Sequence, residues 1–218
     1  PVFYARVDHV SVPLAQEGTG QVVVDFTPEP LTQDVSFVFH IEKTADVVVD
    51  SLTAEISGIP STMELTTGLI LAQKTYKLLF RPTYAALPSA ADSASAEALR
   101  CEASVNIPGI VRSHTEDMVT GPGILQIAIY THYDYEEEGT QRKAAKVFHA
   151  GINLYHTLKE RKSLQWDEEE NGYRQASRSI TVEIGSPLNI DKDGILNGGS
   201  TSTGLDQWIP GETFEIEV

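Results

Sequence analysis

A second cysteine is missing, so the chain can form no intrachain disulfide. The lone Cys101 stands in LRCEASVNI, in phase with Ala103, Val105 and Ile107, where a free thiol serves as a small buried hydrophobe. Basic residues are scarce as well: 16 Lys and Arg face 31 Asp and Glu, a formal net charge of -15. That balance excludes nucleic acid and anionic membrane surfaces as partners, because both reward clustered cations. No run of about 18 apolar residues occurs, so no spanning helix is expected. A G-x-S-x-G elbow, a phosphate loop and a dinucleotide fingerprint are all absent, and Cys101 has no local base. The expectation is a non-enzymatic protein without cofactor. The chain opens on Pro1 with no nearby Met, which suggests a processed product that has lost its targeting signal.

What is present is extended chain punctuated by Pro and Gly. At 218 residues the chain can bury roughly 70% of its unfolded surface, enough for a core without metal. The stretch Gly121–Tyr135, GPGILQIAIYTHYDY, fills both faces of a strand and belongs near the middle of a sheet. It starts at Gly-Pro-Gly and ends in the acidic turn Glu136–Gly139. Asp34–Lys43 alternates cleanly, with Val35, Phe37, Phe39 and Ile41 on one side. Further strands are expected at Phe3–Val12, Gln21–Thr27, Val47–Ile59 (stopping at Gly58-Ile59-Pro60), Thr62–Thr66, Thr75–Thr83, Arg100–Ile107, Lys143–Leu158, Ile180–Ile184 and Phe214–Val218. The end of the Lys143–Leu158 stretch reads equally as a short helix from Asn153. Ala85–Ala98 is expected to be a surface loop, and Ile195–Gly204 a Gly/Asn/Ser-rich connector. About ten strands with at most one short helix predict an all-β, antiparallel Greek-key sandwich.

The run Gln21–Gly68 resembles the C-terminal domain of Bacteroidales fimbrillin-like proteins, the FimB/Mfa-like anchor and accessory class. Val48, Leu52, Ala54, Ser57, Gly58, Ile59, Ser61, Leu65, Thr67 and Gly68 carry the likeness, and PVFYAR and GPGILQIAIY are similar to the opening and the central strand of that domain. The resemblance spans residues 1–190, leaving 191–218 as a C-terminal extension with a terminal strand. Relatives end soon after the strand matching Ser179–Ile184, and their N-terminal domain and lipidated cysteine have no counterpart here. The resemblance implies a surface-exported subunit that builds, anchors or tips a fimbria, with other fimbrial subunits as partners. It implies an outer-membrane location through a lipid anchor on the full-length precursor, and it brings no active site.

Three constellations offer other chemistry. Asn189, Asp191 and Asp193 in NIDKDG have the spacing of a calcium loop, but the twelfth position is Ser200, where a bidentate Glu belongs. His132 and Asp134 share a strand face beside Glu136–Glu138, short of the three or four converging ligands zinc needs. Trp166, Tyr173 and Trp208 are sparsely spaced and form no repeated platform, so core or rim packing is the first reading; stacking on sugar rings is the other, and it makes a glycan-capture module the alternative function. The leading expectation is subunit contact through sheet edges, with Phe3, Val7, Val10 and Val12 at one end and Phe214, Ile216 and Val218 at the other as the contact residues.

Overall fold

The computed structural model describes residues 3–5, 7, 10, 23–87, 96–196 and 207–216. Its elements are β1 (Phe3–Tyr4), β2 (Glu29–Pro30), β3 (Gln33–Thr44), β4 (Val47–Glu64), β5 (Leu69–Phe80), β6 (Thr83–Ala86), β7 (Ala96–Ile107), β8 (Ile124–Glu137), β9 (Thr140–Asn153), α1 (Tyr155–Arg161), β10 (Leu164–Asp167), β11 (Gly172–Gln175), β12 (Ser179–Glu183), β13 (Leu188–Ile190), β14 (Ile195–Leu196) and β15 (Trp208–Ile216). The fold is all-β with one short helix, as the sequence pattern predicts.

One sheet runs β10-β11-β5-β4-β8-β9-β15, and a second runs β14-β13-β3-β7-β6 with β12 also on β3. β8 has β4 and β9 as neighbours, the interior position its two filled faces require. Its hairpin to β9 turns on Glu138 and Gly139, both at positive φ, the geometry a two-residue turn needs to match strand twist. The two sheets pack face to face. Val35, Phe37, Phe39 and Ile41 of β3 are fully buried against Leu52, Ile56, Leu125, Ile127, Ile129, Phe148 and Ile152 of the facing sheet. Phe37 stacks on Phe80 at 5.1 Å, and the Tyr84 hydroxyl donates to the Val49 carbonyl oxygen at 2.9 Å, both crossing the interface.

Three expectations are corrected and one open reading is resolved. Val47–Glu64 is one strand: Gly58 is a bulge, with φ of 87°, rather than a stop. A side chain there would place Cβ 2.6 Å from the Val111 carbonyl oxygen, so only glycine lets the 111–123 segment lie against the strand. Ser57 completes the lock, donating to the Gly121 carbonyl oxygen at 2.6 Å and accepting the Ile124 N–H at 3.0 Å. Second, the described part of the expected Gln21–Thr27 strand, residues 23–27, joins no sheet. Pro28 and Pro30 limit ladder hydrogen bonding just where the segment would dock. Third, β12 and β13 run parallel to β3, Ile180 beside Val35 and Leu188 beside Ile41, so the second sheet is mixed. Fourth, the Asn153–Leu158 ambiguity resolves as helix. Asn153 ends β9, accepts the Tyr155 N–H at 3.0 Å, and its amide donates to the carbonyl oxygens of Thr115, Glu116 and Met118.

Candidate functional site

β15 is the boundary of the seven-stranded sheet. β9 is its neighbour on one side, and among the described residues no strand pairs with the other. Its register runs from Trp208 opposite Ile152 to Pro210 opposite Ala150, then resumes with Thr213 opposite Phe148 and ends with Ile216 opposite Ala145. Gly211 and Glu212 bulge over His149. A Cβ on Gly211 would meet the His149 backbone oxygen at 3.1 Å, which is why the tight approach falls on glycine.

The strand is held at its start by a ring in the core. Trp208 is 6% exposed, lies edge-on to Phe39 at 5.8 Å, and donates its indole N–H to the Ser186 carbonyl oxygen at 3.0 Å. On the opposite sheet face, half-exposed Phe214 lies edge-on to the His149 ring at 5.6 Å. Pro210 and the bulge at Gly211 and exposed Glu212 break the regularity of this boundary strand, devices that blunt unspecific edge pairing.

At the other end of the chain, Phe3 pairs only with Pro30 across the β1-β2 ladder and is exposed. Val7 and Val10 are exposed and outside any strand; Val12 and Val218 lie outside the described residues. The segment before β2 also exposes Val23 (73%) and Phe26 (61%), two large apolar side chains with no place in the sandwich. Sequence reasoning missed them by assigning Gln21–Thr27 to a strand. A second open edge lies on β7. Because β6 pairs only with residues 99–102 of that strand, residues 103–107 have β3 as their single described neighbour.

Several of the titratable groups are tied into local pairs or buried. Cys101 is fully buried, and burial pushes its thiol up to about 12, as far from a nucleophile as a cysteine gets. His132 meets Asp50 at 2.8 Å and His156 meets Glu116 at 2.5 Å, each at the sandwich surface. The Arg174 guanidinium holds the Asp167 carboxyl below its usual range, helped by the Glu170 N–H. Asp191 accepts the N–H groups of Asp193 and Gly194 at 2.8 Å, so its carboxylate is engaged in closing the β13-β14 turn. No group of three or more His, Cys, Asp or Glu among the described residues is placed to hold a metal ion. Among them too, no helix is long and apolar enough to cross a membrane.

The aromatic candidates separate. Trp208 is core and offers no face to a sugar, whereas Trp166 is exposed and sits edge-on to Tyr173, its cross-strand partner, at 5.0 Å. No family model, curated protein or solved structure matches the chain significantly.

Proposed function

We propose that the protein is a non-enzymatic structural subunit of a cell-surface fimbria, of the anchor or accessory kind, that joins other subunits by donating an edge strand. The observation that carries this reading is the position of β15: a terminal strand with one ladder neighbour, reached through a spacer whose composition, NGGSTSTGLD, permits reach. The same hydrogen bonds to β9, and the same Trp208 slot beside Phe39, are available to the strand of a neighbouring copy. Exchange of an identical element between subunits preserves every contact, so its cost is confined to association entropy.

The exposed N-terminal stretch supports the reading from a second direction. Phe3, Val7, Val10, Val23 and Phe26 leave apolar surface in solvent that a subunit contact covers. An outer-membrane location and a lipid anchor on a longer precursor belong to the same proposal and rest on the fimbrillin-like resemblance alone.

The test uses a chain ending at Asp206 and a synthetic peptide of Gln207–Val218. The peptide is expected to bind the truncated chain and restore its thermal midpoint, while truncation abolishes multimers formed by the full chain. A full chain that assembles as well without Gln207–Val218 contradicts strand donation.

A further inference from the structure

The β8-β9 hairpin runs past the end of the core, so the face that buries Ile127 and Ile129 continues outward as Tyr133 and Tyr135. Across from it lies the β13-β14 turn. Together they bound an open groove of about 660 Å³. Its floor is Lys146, which is 8% exposed, donates to the Lys192 carbonyl oxygen at 2.8 Å, meets the Glu215 carboxylate at 3.3 Å and lies 5.3 Å from the Tyr133 ring centroid. Burial works against the charge on this amine, but the Glu215 hydrogen bond and Tyr133 outweigh it, so its pKa is raised and it remains an ammonium.

The charge balance of the groove inverts that of the chain. Arg142, Lys143, Lys146 and Lys192 line it against Asp193 and Glu215, two cations per carboxylate, whereas the whole sequence has 16 basic residues to 31 acidic. Lys143 and Lys192 have no ion-pair partner among the described residues, while Arg142 is held by Glu137 at 2.9 Å. Tyr133 and Tyr135, with ring centroids 6.3 Å apart and tilted by 49°, form an aromatic wall beside them.

We propose that this groove binds a carboxylate-bearing oligosaccharide. Sugar C–H faces lie on Tyr135 and Tyr133, the ligand carboxylate meets Lys192 and Arg142, and Glu215 and Asp193 accept ring hydroxyls. The tyrosine wall decides between ligand classes: two adjacent rings present faces to sugar C–H groups, which the side chains of an acidic peptide lack, and Glu215 and Asp193 add acceptors for hydroxyls. The groove shares only Glu215 with β15, so the residues varied below are chosen outside that strand and leave strand donation intact.

Calorimetric titration of the full chain with a galacturonate trimer, sialyllactose and a hyaluronan tetrasaccharide tests this, with lactose and maltotriose as neutral controls. At least one carboxylated probe is expected to bind with Kd below about 1 mM. Tyr135→Ala and Lys192→Ala each weaken it roughly fivefold or more, while Tyr135→Phe, which keeps the ring, retains it. Raising salt from about 0.05 to 0.5 M weakens it too. Any of four results overturns the proposal: no carboxylated probe bound up to about 10 mM, neutral sugars bound equally well, affinity unchanged in both alanine variants, or a poly-glutamate peptide bound in preference to the sugars.

Discussion

The indole N–H of Trp208 donates to the Ser186 carbonyl oxygen at 3.0 Å, which ties the first residue of the last strand to the turn between β12 and β13. With Phe39 edge-on at 5.8 Å, the ring bridges the open end of the inter-sheet core. The rest of β15 leans on this anchor, because among the described side chains beyond the bulge the apolar hold is half-exposed Phe214 against His149. Trp208→Ala is therefore expected to cost about 3–5 kcal/mol in denaturant unfolding. In amide exchange, protection along residues 208–216 should fall before that of β8. Equal loss across both strands would argue against a locally held edge.

Gly58 separates two costs that glycine substitutions usually mix. At Gly58 a methyl group meets backbone atoms at 2.6 and 2.7 Å as well as positive φ; at Gly139, also at positive φ, it meets nothing within 4 Å. Gly58→Ala should destabilise by about 3 kcal/mol or more and Gly139→Ala by about 1 kcal/mol. Similar values in chemical denaturation would mean that the 111–123 segment yields easily and does not lock the bulge.

Cys101 provides a clock for global opening. Its thiol is fully buried and its pKa raised to about 12, so a thiol reagent at pH 8 should react only as fast as the protein unfolds. Labelling that follows reagent concentration without limit in the native protein would contradict the packing of β7 against β3.

Asp167 gives the stability curve an acid limb. Its folded-state pKa is depressed by Arg174, so its contribution is present above the unfolded carboxylate value of about 3.9 and is lost as pH falls through the folded value. Asp167→Asn should be less stable than the parent near neutrality, with the two curves converging in acid. A gap that persists at the lowest pH would assign the difference to the turn hydrogen bonds of Glu169 and Glu170 instead.

Much of the fold was legible because the period of two is strict where one face is buried. Val35, Phe37, Phe39 and Ile41 alternate with polar residues and all reach the core, and the doubly filled β8 lies at the interior of its sheet. The misreadings have a shared cause: local punctuation carries no information about partners. Gly58-Ile59-Pro60 reads as an end, yet β5 continues to pair across it after a bulge. Pro210-Gly211 likewise hid the first half of β15, although core packing of Trp208 was expected from its sparse setting. Val23 and Phe26 carry strand-forming residues, but nothing local announces that the sandwich has no room for them. Parallel pairing of β12 and β13 with a strand about 145 residues earlier depends on the assembled core. The Tyr133–Lys146–Lys192 groove joins two hairpins remote in sequence and left no motif.

Strand donation by β15 is tested most directly by fastening it to its own sheet. Ile209 and Gly151 are cross-strand partners, and the space around Gly151 accepts a Cβ, with Gln126 the nearest contact at 3.9 Å. In the Ile209→Cys/Gly151→Cys variant, light scattering at increasing protein concentration should show multimers when the pair is reduced and a monomer when it is oxidised. Multimers of equal size and yield in the oxidised protein, with the bridge shown to lie within one chain, would contradict the account.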